Sequence, residues 1–136
     1  MAVDEWLFWQ MGGLGPMAGQ AHHFRLYAPQ KIPYAIDRYT NECNRLYGVM
    51  NTRLKDRRYL AGDDYTIADM ACLGWTSRWE RQGQNPEQFP HVKRWLAELT
   101  ARPAVQRAMA LTIDAAKAVD MKDPKVFDLL FNQKAR

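Results

Sequence analysis

The sequence predicts an all-α protein, a bundle of five to seven helices. Three observations lead there. Apolar residues recur at intervals of three and four, most clearly in Ile36, Tyr39, Cys43, Leu46/Tyr47, Met50 and Leu54. No stretch alternates as a half-buried strand would, and no repeat period is visible. Residues 59–79 read as a turn followed by a well-signalled helix start. There the Thr66 hydroxyl can accept a bond from a free first-turn amide, and the Asp69 carboxylate can reach back to the Thr66 amide. That is a capping box, with Tyr65 and Met70 placed to staple it.

Residues 2–11 read as a first helix with Asp4 and Glu5 in its first turn, where acids suit the positive helix end. Gly12-Gly13-Leu14-Gly15-Pro16 then interrupts, since proline lacks an amide and disfavours helical geometry at the preceding residue. The pattern resumes through Met17, Gln20, Ala21 and Phe24, so two helical pieces joined by a kink or short bulge are expected. A long helix follows over residues 34–55, and the capped helix is expected over residues 66–81, largely inside the domain. Phe89-Pro90-His91 opens another helix, with Phe89, Val92, Trp95, Leu96 and Leu99 facing inward. Arg102-Pro103 starts a short helix through Val105, Ala108 and Met109. Beyond Leu111 the pattern weakens until Asp123-Pro124 begins a last short helix. The expected division is a helical domain over residues 1–111 and a C-terminal extension over residues 112–136.

A chain of 136 residues is one domain's worth, with 47% hydrophobic and 25% charged residues. No apolar run approaches the roughly 20 residues that span a bilayer, and no basic stretch precedes Trp6-Leu7-Phe8-Trp9, so neither a membrane span nor a secretion signal is expected. Cys43 and Cys72 form no framework and suit a reducing cytoplasm. The net charge of +4 is spread out, and the short cluster around Arg57-Arg58 suits the carbonyl end of a helix better than nucleic acid.

Little in the residues alone carries chemistry. His22 and His23 point about 100° apart on a helix, and with His91 and the two cysteines they show no ligand spacing, so no metal site is expected. The glycine cluster follows a helix, not a strand, and does not read as a phosphate cradle. Asp69 and Thr66 are assigned to folding rather than catalysis, and no catalytic residue is assigned.

Tyr59-Leu60-Ala61-Gly62-Asp63-Asp64-Tyr65-Thr66-Ile67-Ala68-Asp69, together with Phe89-Pro90-His91-Val92-Lys93-Arg94-Trp95 and Arg102-Pro103-Ala104-Val105, resembles the C-terminal all-helical domain of a cytosolic glutathione transferase. Trp6-Leu7-Phe8-Trp9-Gln10-Met11-Gly12-Gly13-Leu14-Gly15-Pro16-Met17 and Ile32-Pro33-Tyr34-Ala35-Ile36-Asp37-Arg38-Tyr39 are similar to the bacterial Nu class and its fungal nitrogen-regulator-prion relatives. The resemblance spans residues from about 5 to 110. That family places a thioredoxin-like domain before the helices, so the resemblance implies either a fragment or a stand-alone helical domain, inactive by itself. It further implies glutathione as a cosubstrate with no covalently bound cofactor. The full-length activity would be glutathione conjugation or glutathione-dependent disulfide reduction. The partner would be a second copy or the thioredoxin-like domain, which Trp6, Phe8 and Trp9 would abut.

The resemblance gives Arg38 a role in reaching glutathione held by the partner subunit, which suits a guanidinium's bidentate fork. Read without it, Arg38 is a solvated arginine or one paired with Asp37 or Glu42. The resemblance also makes Met11, Gly12, Leu14, Gly15, Met17 and Phe24 a wall of the electrophile site. Flexible methionines and small glycines suit such a pocket, and they equally suit helix packing around a kink. The rival reading is an interaction module that dimerises without catalysis.

Overall fold

The computed structural model describes residues 1–117, 119–120 and 123–135, and no strand occurs among them. The backbone groups into two compact units, Met1–Leu99 and Thr100–Arg136.

In the first unit, helix α1 (Ala2–Trp9) passes through a π turn (Gln10–Leu14) into α2 (Gly15–His22) and a second π turn (His23–Tyr27). The glycine–proline stretch therefore bulges the helix without stopping it. Gly15 keeps φ −59° and ψ −57° directly ahead of Pro16, and its amide donates to the Gln10 carbonyl five residues back. That wider turn takes the chain out of the ordinary i−4 ladder where a proline ring would clash, so the proline costs less than in a regular helix. Gly15 is also needed for packing. A Cβ there would stand 2.7 Å from Gln10 Nε2 and 3.0 Å from Trp75 Nε1.

Helix α3 (Pro33–Arg53) begins on a proline whose missing amide is harmless at a helix start. It buries Cys43, Leu46, Tyr47 and Met50, the face its periodicity predicts. It packs along α2, where Ala18, Ala21 and Cys43 form a tight cluster bordered by Met17, Tyr39 and Trp75. Small residues let the two backbones come close there.

Helix α4 (Ile67–Thr76) is shorter than expected. Arg78 leaves helical geometry, Trp79–Gln82 tightens into a 3₁₀ turn, and Gly83 takes φ +72°. The reason is a fastening made by distant side chains. Buried Gln82 donates from Nε2 to the Trp75 carbonyl at 2.7 Å, and its Oε1 accepts at 3.0 Å from the Tyr47 hydroxyl, which also lies 3.4 Å from the Thr76 carbonyl. Carbonyls freed by the helix end thus find donors without water. The expectation that α4 lies inside is corrected by its outer face: Ile67 is 56% and Met70 50% exposed, while Ala68, Asp69, Cys72, Leu73 and Thr76 are buried.

Helix α5 (Pro90–Thr100) buries Val92, Trp95, Leu96 and Leu99 as predicted. Its first amides are capped from α3: Asn51 Oδ1 accepts from His91 N–H at 2.9 Å and from Val92 N–H at 3.3 Å. The second unit holds α6 (Pro103–Lys117) and α7 (Pro124–Phe131). Helix α6 runs past the short helix expected, as far as Lys117. Helix α7 is capped by Asp123, whose Oδ1 accepts from Lys125 N–H at 2.9 Å. Positions 118, 121, 122 and 136 of the expected extension lie outside the described residues. No helix among the described residues is long and apolar enough to cross a membrane.

Candidate functional site

The residue on which the first unit's interior converges is Asp69, which has no exposed surface. Its Oδ2 accepts from the Thr66 amide at 3.1 Å and from the Thr66 hydroxyl at 3.3 Å. Thr66 Oγ1 in turn accepts from Ala68 N–H at 3.3 Å, so the capping box is present. The other oxygen, Oδ1, does what sequence reasoning did not foresee. It accepts from Leu60 N–H at 3.0 Å and from Trp95 Nε1–H at 2.8 Å, tying the turn before α4 and the middle of α5 to the same carboxylate. A buried carboxylate survives without a cation when its lone pairs are filled by donors, as here. Tyr65 tilts against Tyr59 with ring centroids 5.8 Å apart, and Met70 stays half exposed, so the staple residues sit on the rim of this lock. Its role is to hold α4 in place; no substrate could reach Asp69.

The π turn distributes the six wall residues over different environments. Met11 is 68% exposed, and Gly12 is open to solvent with nothing within 4 Å of a Cβ placed there. Leu14 and Gly15 face inward. Met17 borders the Ala18/Ala21/Cys43 cluster, and Phe24 stacks on Tyr39 of α3 at 5.4 Å with planes 9° apart. Close to this surface Phe8 is 77% exposed, while Trp6 and Trp9 meet edge to face at 4.9 Å with the Arg53 guanidinium over Trp6. The outward residues of α1 and the adjoining π turn (Phe8, Met11, Gly12) lie on elements packed against α4, whose Ile67 and Met70 also face out.

Arg38 stands on the exposed side of α3. Its Nη1 is 3.8 Å from Glu42 Oε2, but that carboxylate is already gripped by the Arg45 fork, Nε to Oε2 at 2.9 Å and Nη2 to Oε1 at 2.6 Å. The Arg45 hydrogen bond holds the Glu42 carboxyl below its ordinary value, outweighing the opposing effect of burial. Arg38 therefore receives a weak share of Glu42 and keeps most of its donors for another anion.

Neither cysteine can serve as a nucleophile. Burial, then the Glu42 charge, pushes the Cys43 thiol up to about 12. Burial, then the Asp69 charge, does the same to Cys72, also to about 12. Both are protonated and enclosed at neutral pH, so any thiol chemistry must use a thiol from outside the chain. Among the described residues no three His, Cys, Asp or Glu side chains gather as a metal site does.

The family described as "Glutathione S-transferase, C-terminal domain" matches residues 16–103. The chain is 51% identical over 108 residues to the disulfide-bond oxidoreductase YfcG of Escherichia coli, covering 79% of this chain and 50% of that protein. It is 35% identical over 140 residues to the transcriptional regulator URE2 of Saccharomyces cerevisiae, covering 79% of this chain and 40% of that one. Among solved structures, a glutathione transferase homolog from Lodderomyces elongisporus with two GSH per subunit superposes with a TM-score of 0.78 at 39% identity, over 81% of this chain and 53% of that one. The chain thus spans about half the length of the relatives it matches, or less. With helices and no strand among its described residues, a capped α4 in its first unit and a family match over most of its length, the chain belongs to the glutathione S-transferase C-terminal domain family.

Proposed function

We propose that this chain is the helical half of a glutathione-dependent disulfide oxidoreductase, acting with a thioredoxin-like domain that binds glutathione. The observation that carries this reading is the 51% identity over 108 residues to a protein named for that activity. Two features of the site support it. The chain's own thiols are buried and protonated, so a reducing thiol must come from outside the chain, a part glutathione would fill. Arg38, only weakly held by Glu42, is free to take a glutathione carboxylate in the partner subunit. The reaction would consume two glutathione thiols and one disulfide and yield oxidised glutathione and two thiols. The exposed Met11 and Gly12, with Phe8 nearby, would shape the approach for the second substrate or seat the thioredoxin-like domain.

A second reading, a docking module without catalysis, draws on the same outward apolar residues, Phe8, Met11, Ile67 and Met70. A chimera joining this chain to a thioredoxin-like domain of the family separates the two. Expected are no turnover of a small model disulfide by the chain alone, glutathione-dependent turnover by the chimera, and a glutathione KM raised roughly tenfold by Arg38→Ala. A folded, dimeric chimera without turnover would refute the enzyme reading in favour of the module.

A further inference from the structure

We infer a small-oxyanion site, for a phosphate or carboxylate group, where the second π turn (His23–Tyr27) meets the turn after α4. Its ligands are Arg25, Arg78 and Arg81, with His22 beneath them. This goes beyond the glutathione reading and uses none of its residues.

The two segments pack against each other. The Arg25 guanidinium lies on the Gly83 backbone, so close that a Cβ at position 83 would fall 2.6 Å from its Cζ and Nη1. Arg81 Nη1 reaches the Tyr27 hydroxyl at 3.5 Å, and the Tyr27 ring stacks on His22 with centroids 5.1 Å apart and planes 27° apart. Arg78 and Arg81 are close enough that, after burial, their charges further hold the His22 imidazole below its ordinary value. Lys31 closes the segment, its ammonium donating to the Arg25 carbonyl.

Arginines on two segments packed together around one imidazole ordinarily recruit carboxylates. Here the ion pairs among the described residues include none of Arg25, Arg78 and Arg81, and Glu80, on the same turn, joins none of them. Two buried polar atoms at the same place also lack partners: His22 Nε2, on a residue only 8% exposed, and Arg25 Nε. Buried polar atoms without partners are costly, and like charges without a counter-charge repel. One anion answers both. Guanidinium forks match the oxygen spacing of phosphate and carboxylate, and His22 Nε2, when it carries the ring proton, can add a donor. Exposed Arg78 and Arg81 leave the site open on its outer side.

The test is isothermal titration of the full chain with inorganic phosphate and, in a separate arm, with succinate, in chloride buffer of constant ionic strength. Saturable binding is expected, with a shift of the His22 ring resonances on phosphate addition. Binding by phosphate alone assigns the site to phosphate groups, and binding by both extends it to carboxylates. Arg81→Gln and Arg25→Gln should each weaken binding roughly tenfold, and Lys55→Gln, at an exposed lysine elsewhere, should leave it unchanged. Arg81 is exposed, so its variant tests binding without endangering the fold. No saturable heat in either arm, or binding unchanged in Arg81→Gln and Arg25→Gln, would overturn the proposal and leave these arginines as partners of helix carbonyl ends.

Discussion

Replacing Asp69 by Asn alters one atom of a wholly buried side chain and almost none of its volume. The carboxylate serves Leu60 N–H and Trp95 Nε1–H at one oxygen, and the amide and hydroxyl of Thr66 at the other. Asparagine keeps one acceptor oxygen and turns an NH₂ toward the remaining donors. With the oxygen kept on the Trp95 side, the Thr66 amide loses its acceptor, while the hydroxyl can rotate. A buried donor left without an acceptor costs about 1–3 kcal/mol, and the two surviving bonds lose their charge assistance. Together these put the loss at about 3 kcal/mol, a large part of the roughly 5–15 kcal/mol that a domain possesses. Asp69→Ala strands all four donors and opens a cavity, so about 5 kcal/mol or complete unfolding is expected. Urea unfolding followed by tryptophan fluorescence and far-UV circular dichroism measures both. A double-mutant cycle with Trp95→Phe isolates the indole bond and should return a coupling of about 1–2 kcal/mol. Asp69→Asn within about 0.5 kcal/mol of the parent, or strict additivity with Trp95→Phe, would show that the carboxylate does not hold α4 and α5 together.

Two further outcomes follow from other residues. Asn51→Ala removes the acceptor shared by His91 and Val92 at the start of α5 and should cost about 1–2 kcal/mol in the same urea assay; no change would mean water caps that helix equally well. For His22, burial and then Arg81 and Arg78 lower the folded pKa from 6.5. The unfolded chain therefore takes up the proton first as pH falls, so this group's share of stability is intact above 6.5 and is lost as pH drops from there through the lower folded value. Melting temperatures between about pH 7.5 and pH 5 should fall less steeply in His22→Asn than in the parent, and parallel curves would refute this.

The helical class and the inward face of α3 were legible because burial repeats with the helix period. Cys43, Leu46, Tyr47 and Met50 lie where their spacing puts them. The start of α4 was legible because Thr66 and Asp69 signal it locally. What escaped depends on partners distant in sequence. The end of α4 is decided by Gln82 and by Tyr47 from α3, and the cap of α5 by Asn51, 40 residues away in sequence. The π turn at Gln10–Leu14 is the short bulge expected between the two helical pieces; only its π geometry, which accommodates Pro16, is a response that single-residue propensities do not encode. In the candidate site, the pairing of Arg38 with Glu42 could be named from their spacing. The weakness of that pairing could not, because it depends on Arg45 occupying the same carboxylate.

Helix α4 is clamped at both tips by side chains belonging to other helices, Trp95 through Asp69 at one and Tyr47 through Gln82 at the other. A rod pinned this way can neither slide along its axis nor roll without breaking a buried bond. Ile67 and Met70 are consequently presented to any docking surface at a fixed attitude, and recognition there needs no rearrangement of the rod beneath them.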